Sequence, residues 1–393
     1  MSASVAAAVT TAQIREAIAP TLDALRERAA RRDVEREHPY AEVRALADAG
    51  LLRYRLPVQD DGAGATVREL AELVVDIAAA DSNVAQALRP GVLVVESLVT
   101  GAVTGPARDA LLARVLRGDL FSGTVNERGG AAGGVQTTLT RDEHGLRIDG
   151  AKYYSTGGLH AQWFSGVARD EQGRTVAFTV PTDREGVVRL DDFDAIGQRL
   201  TASGSTLLQG VRVDAAELGE PDAPKRHPHG SLAHLVLAAT LAGIAQAAAD
   251  DAVHVVQRVA RPIKHSTAAT SVEDPYVRQV TGRIATAAFT ARAQVVAAAE
   301  ALDRHWAAGD DATAAAAVVA VAQAYIGAGE QALLAGELLF DVGGGTLTDR
   351  ELGLDRHWRN ARTVANHNPR GWKAAAIGAW FLAGEIPPAN GLF

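Results

Sequence analysis

The chain of 393 residues contains no cysteine. That excludes disulfides, thiolate metal sites and a cysteine nucleophile. It also lacks any long basic tract or RNA- or DNA-binding motif, and its formal charge of −8 is mild, so nucleic acid is not an expected partner. No stretch runs for eighteen uninterrupted apolar residues. The nearest, "SLAHLVLAATLAGIAQAAADDAV", carries His, Gln and an acidic end and reads as a buried bundle helix. The N-terminus "MSASVAAAVTTAQIREAI" has no basic region followed by an apolar core, so neither a signal peptide nor membrane association is expected, and the expected location is cytoplasmic. No G-x-G-x-x-G follows a strand, and the glycine run "DVGGGTLTD" has other spacing and follows a helix. P-loop, H-E-x-x-H and G-x-S-x-G motifs are likewise missing. The pair in "HPHG", His227 and His229, lies in a Pro-rich linker without carboxylates and reads as a plain loop, so no metal is expected. A redox enzyme built from this chain would have to obtain its electrons from elsewhere.

What is present falls into three textures, as expected of a chain too long for one ordinary core. Residues 1–116 are helical in pattern: Ile14, Ile18, Leu22 and Leu25 form one apolar stripe, and a later helix is interrupted by Pro90 and Gly91. Residues 117–222 are β-rich. Turns are expected at His144–Gly145, Asp149–Gly150 and Gln172–Gly173, and the whole block reads as a barrel or sandwich. In residues 223–393 long Ala-rich helices return, over 232–258, 276–306, 312–340 and 372–383, a pattern of close helix packing. The fold class is therefore α+β and multidomain, helical, then β, then a helical bundle.

One stretch stands apart. "LDRHWRNARTVANHNPRGWK", Leu354 to Lys373, gathers five Arg or Lys, two His and three Asn in a mostly apolar region. A lined pocket, a subunit interface and a solvated helix face all produce such a pattern.

Three motifs in order carry a family resemblance. "LADAGLLRYRLPVQDDGAG", "DGAKYYSTGG" and "DAIGQRLTASGSTLLQGVRVDAAEL" resemble segments of the acyl-CoA dehydrogenase superfamily over nearly the whole chain. That resemblance implies an N-terminal helical domain, a middle β-domain and a C-terminal four-helix bundle, with flavin between the last two. The dehydrogenases of that superfamily often carry a Tyr-Glu pair, the Glu serving as base. Here His367 and Asn368 stand in its place, and an amide cannot take up a proton. "DRHWRNART…HNP…WK", "GTVNERG" and "KYYSTG" instead resemble the class D flavin monooxygenases, dibenzothiophene monooxygenase and the sulfur-acquisition oxidoreductases nearest.

That branch implies a two-component enzyme. Reduced FMN, with FAD as the alternative, arrives from a separate NAD(P)H-dependent flavin reductase. It reacts with O2 to a C4a-hydroperoxide that oxygenates a sulfur, nitrogen or aromatic centre of a small molecule. The resemblance implies a catalytic His367 acting as proton donor, and Asn126 holding the peroxide. It implies Ser155 at the flavin edge, with Tyr154, Thr156 and Asn368 beside the ring. Strand alternation is expected to send Tyr154 and Ser155 to opposite faces. Arg261, Lys264 and Ser266, with Gly344, Gly345 and Thr346, would hold the phosphate, partly across a subunit interface in a homotetramer. One departure is visible: relatives carry a second His after "A-Q-x-L", where this chain has Arg89, Pro90 and Gly91. Two other readings stand beside this one, a dehydrogenase or oxidase with a relocated base, and a non-catalytic member of the fold.

Overall fold

The computed structural model describes residues 9–129, 134–222, 229–262 and 264–388. His227 and the side chain of His229 lie outside them.

Five helices open the chain: α1 (Thr11–Glu35), α2 (Tyr40–Asp48), α3 (Val67–Ala80), α4 (Ser82–Val99) and α5 (Gly105–Leu116). Thr10 and Thr66 each start a helix with a capping box, satisfying amides that have no partner in the first turn. Asp81 ends α3 and caps α4, accepting from the Asn83 amide at 3.0 Å. The expected break at Pro90 does not occur. α4 runs through it, because one lost backbone bond is outweighed by burial of the helix from Ser82 to Leu88 and again at Gly91, Val95 and Leu98.

A seven-stranded sheet follows: β1 (Phe121–Gly123), β2 (Thr138–Asp142), β3 (Gly145–Lys152), β4 (Trp163–Arg169), β5 (Thr175–Pro181), β6 (Val187–Arg189) and β7 (Thr206–Val213). Its order is β1-β4-β2-β3-β7-β6, with β5 paired to β4. Hairpins turn at His144–Gly145 and Gln172–Gly173 as expected. Asp149–Gly150 is not a turn. It is an irregularity inside β3, where Asp149 accepts the Gly210 amide at 2.8 Å and a Cβ on Gly150 would meet Thr137 Oγ1 at 2.4 Å. The sheet has its own small core around Phe164, Phe178, Ile148 and Val211.

Helices α6 (His229–Arg258), α7 (Pro275–Ala308), α8 (Asp311–Leu338), α9 (Arg356–Val364) and α10 (Arg370–Ala383) complete the chain. α6 and α8 are long and apolar enough to cross a membrane by length and composition alone, but most of each is buried in the helical body. The first and third blocks do not keep separate interiors. One continuous cluster runs from Ile14 through Leu70 and Val75 to Leu241, Ile284 and Tyr325. α3 lies so close on α6 that a Cβ at Gly243 would meet Ala78 Cβ at 2.4 Å.

α9 is where the first helical block, the β-domain and the last helical block meet. Its polar residues mostly serve as tertiary pins rather than as a solvated face. Arg359 pairs with Asp33 of α1 and with Asp355 at 2.7 Å, and donates to the Ile196 carbonyl at 3.0 Å. Asn360 accepts the buried Gln198 amide at 2.6 Å. Arg356 and His357 both reach Asp251 of α6, at 2.6 and 2.7 Å. Two glycines permit this packing: Cβ atoms at Gly336 and Gly197 would lie 2.9 Å from Trp358 N and 2.1 Å from Arg359 O. Since the obstacle at Gly197 is backbone, it cannot rotate away. Gly197→Ala is therefore expected to lower stability by about 1–3 kcal/mol or more, read as a lower urea midpoint at unchanged m-value.

Candidate functional site

The turn Thr124–Gly129 and the loop Tyr153–Gly158 are locked together by a buried ion pair. Lys152, its side chain wholly buried, donates to Glu127, which also takes the Thr137 hydroxyl at 2.7 Å and the Gln136 and Thr137 amides at 2.6 and 3.1 Å. Burial raises the Glu127 pKa, but these donors outweigh it and hold the carboxyl below its usual range. The Tyr153 amide donates to the Asn126 carbonyl at 3.1 Å, and Arg128 stacks 3.4 Å from the Tyr153 ring. Glu127 and Lys152 stand in two separate motifs, and nothing local in either marks them as partners. The only signal was a lone acid in one and a lone Lys in the other.

The expected alternation through "KYYSTG" breaks. β3 ends at Lys152, and Tyr154 takes φ +63°, a left-handed conformation costly for a bulky residue. The kink turns Tyr154 outward, 53% exposed, with its ring 4.5 Å from that of Tyr153. Ser155 and Thr156 turn inward. Ser155 is 1% exposed, and its Oγ accepts the Thr206 hydroxyl at 2.8 Å; Thr156 Oγ1 accepts from Ser203 at 3.3 Å. Both hydroxyls are therefore engaged inside the β-domain. Asn126 remains exposed.

Gly157 brings this loop onto α4: at φ +75°, its Cβ would meet the Ala87 carbonyl at 2.5 Å. Arg89 follows on α4, and its Nη2 lies 3.0 Å from Nε2 of His367, in the link between α9 and α10. Arg89, the first residue of the segment Arg89–Gly91 noted above, is thus in contact with His367. Guanidinium only donates, so Nε2 accepts and the ring's single proton sits on Nδ1. His367 retains exposed surface. Burial, then the charges of Arg89 and Lys373, push its pKa down to about 3, so the imidazole is neutral at physiological pH. The neutral His367 can offer a hydrogen bond from Nδ1. Burial also lowers Arg89 to about 10 and Lys373 to about 8.

Tyr325 lies at the back of this cluster. Its hydroxyl donates to the Val364 carbonyl at 3.0 Å, and the Asn368 amide donates to it at 3.3 Å. Asn368 is buried. His234 of α6 approaches Tyr325 with ring centroids 6.4 Å apart, and burial with the surrounding cations keeps it neutral, its pKa pushed down to about 2.

The expected phosphate residues lie elsewhere. Arg261 and Lys264 are exposed in the loop after α6, and Ser266 caps the Ala268 amide at 3.1 Å. Gly344, Gly345 and Thr346 are exposed in a short 3-10 turn that adjoins this loop: a Cβ on Gly343 would meet Ala260 Cβ at 3.0 Å. These two groups come together, but not with His367. His234 and Arg258 stand near opposite ends of α6, roughly 36 Å apart at the α-helical rise. One FMN cannot span that length, so within one chain this loop and His367 cannot hold the same FMN. Among the described residues no cluster suited to a metal ion occurs.

The family model for the acyl-CoA dehydrogenase C-terminal domain matches residues 235–369. A "Probable FMNH2-dependent monooxygenase" of Pseudomonas putida is 30% identical over 373 residues, covering 91% of this chain and 92% of the relative. Dibenzothiophene monooxygenase of Rhodococcus erythropolis is 31% identical, covering 88% of each. Among solved structures, methanesulfinate monooxygenase of Pseudomonas fluorescens superposes with a TM-score of 0.83 at 28% identity, covering 98% of this chain and all of that one. The FMN-bound TdsC of Paenibacillus sp. A11-2 gives 0.87 at 24%, covering 97% and 100%, a likeness of fold.

Removing Lys152 would leave Glu127 charged and buried beneath this site. Lys152→Met is expected to cost about 3–5 kcal/mol in urea unfolding. The double variant Lys152→Met/Glu127→Gln should recover part of that loss, because no unpaired charge remains.

Proposed function

The chain belongs to the flavin-dependent monooxygenases of the acyl-CoA dehydrogenase fold, and on that basis we propose a two-component enzyme that uses reduced FMN and O2 to oxygenate a small-molecule sulfur, nitrogen or aromatic centre. The observation that carries this reading is the Arg89–His367 pair beside Asn368. A dehydrogenase needs a base to remove a proton from its substrate. Here the base position holds an amide, and the charges acting on His367 are those of Arg89 and Lys373, with no carboxylate among them. An oxygenase needs neutral donors around an oxygen-bearing centre, which His367 and the exposed Asn126 supply.

The residues suit the cofactor. The exposed His367, Asn126 and Tyr154 would face the ring, and Arg261 and Lys264 the phosphate, both cations being open to solvent and making no ion pair among the described residues. Reduced FMN, when bound, supplies the electrons that activate O2. His367 donates a hydrogen bond from Nδ1, Arg89 fixes the ring's tautomer, and the Tyr154 ring screens the site from water. With no nicotinamide-binding motif, electrons come through a separate NAD(P)H-dependent flavin reductase; the expected location is cytoplasmic. α10 exposes Trp372, Phe381 and Leu382, followed by Ile386, an apolar face that a homotetramer would cover.

NADPH with FMN should give no product until a flavin reductase is added. In that complete system His367→Ala should lower product formation by about 10²–10⁴-fold, if the lost donor is worth as much as a general acid–base group. Hydrogen peroxide release should rise while FMN binding stays unchanged. Wild-type coupling in the variant would reduce His367 to a structural residue.

A site shared across subunits has its own test. His367→Ala and Arg261→Ala/Lys264→Ala should each be inactive alone, yet regain activity when co-expressed as mixed oligomers. A site made within one chain predicts no recovery.

A further inference from the structure

Arginines that are buried or half-buried at the junctions of this chain are matched by acids: Arg32 by Glu42 and Asp81, Arg55 by Glu96, Arg359 by Asp33. Arg89 is half-buried and meets no carboxylate among the described residues. Its one hydrogen bond goes to a neutral imidazole, and its Nε is enclosed with no partner at all. Arg362 and Arg370 also act on the Tyr325 hydroxyl, and Lys373 lies 5.7 Å from the Tyr325 ring. In a chain of net charge −8, this is a concentrated basin of positive charge next to the candidate oxygenation centre.

We propose that Arg89 is the recognition point for an anionic substrate, a small organic molecule whose carboxylate or other oxyanion docks on the guanidinium beside His367. This rests on the proposed function and narrows its substrate class. The geometry fits that role. One guanidinium edge is used on His367, which leaves the remaining donors for a planar or tetrahedral oxyanion. FMN phosphate is not the natural occupant, because the exposed cations suited to it lie at the far end of α6. The flavin ring is not the source of charge complementarity either. Arg89 projects from α4, in the N-terminal helical block, whereas Asn126 and Tyr154, which would face the ring, belong to the β-domain. A purely structural Arg89, holding the His367 tautomer, would need only a neutral donor.

That last contrast supplies the test. Purified full-length protein is titrated calorimetrically with benzoate and with benzamide, which share shape and differ in charge. Benzoate is expected to bind about tenfold tighter or better, and more weakly as salt rises. Arg89→Gln keeps a donor for His367 but no charge, and should abolish the preference. Arg89→Lys keeps the charge and should retain part of it. Equal affinity for the two probes, no binding of benzoate, or a benzoate preference that survives in Arg89→Gln would each overturn the proposal. If Arg89→Gln does not fold, the wild-type comparison and Arg89→Lys still decide. The titration needs neither flavin nor turnover. An intact benzoate preference without oxygenation would count against the proposed function alone, and oxygenation of neutral substrates without anion preference against this proposal alone.

Discussion

The structure depends on a nine-residue helix, α9, whose polar side chains are satisfied by other parts of the chain. Arg359 closes onto Asp33 of the first helix and onto the Ile196 carbonyl of the β-domain. Asn360 takes the Gln198 amide, while Gln198 donates to Ser82 and Asn83 accepts from Leu200 at the start of α4. Three sequence-distant blocks therefore share one hydrogen-bonded junction. Each buried partner lost there would strand a polar group, at about 1–3 kcal/mol. Such a junction is rigid, and His367 lies just beyond its end. A ring that must meet a guanidinium at 3.0 Å can be held only by a segment anchored in this way.

Around His367 the chain arranges neutrality inside a positive field. The imidazole is kept uncharged by burial and nearby cations, and the adjacent Asn368 carries no charge at any working pH. Among the described residues, the charges that act on His367 are those of Arg89 and Lys373, both positive. Such a site stabilises developing negative charge on oxygen and is ill suited to abstracting a proton from carbon. The replacement of a Glu by Asn368 and the presence of Arg89 are two halves of the same electrostatic choice.

The β-domain contributes shape more than chemistry. The Glu127–Lys152 pair holds two motif segments in register, and the left-handed Tyr154 sends its ring outward while Ser155 and Thr156 go inward. The gain is a loop of defined form against α4, made possible because Gly157 has no Cβ to meet Ala87.

Much was settled by the sequence alone. Helix and strand periodicity determined the three textures and most element bounds, because burial of one face imposes a 3.6- or 2-residue repeat that any reader can count. Missing motifs excluded a resident nicotinamide site, and the His367–Asn368 substitution pointed away from a carboxylate base. Tertiary structure alone decided the rest. It merged the first and last blocks into one core, carried α4 through Pro90, turned Asp149–Gly150 into a bulge and buried Ser155. It also placed the loop after α6 most of that helix's length away from His367. These outcomes depend on what lies across from a residue, and Arg89 and His367 are partners 278 positions apart. No local pattern records such a contact, because the energy that selects it belongs to the pair and to the charges around it.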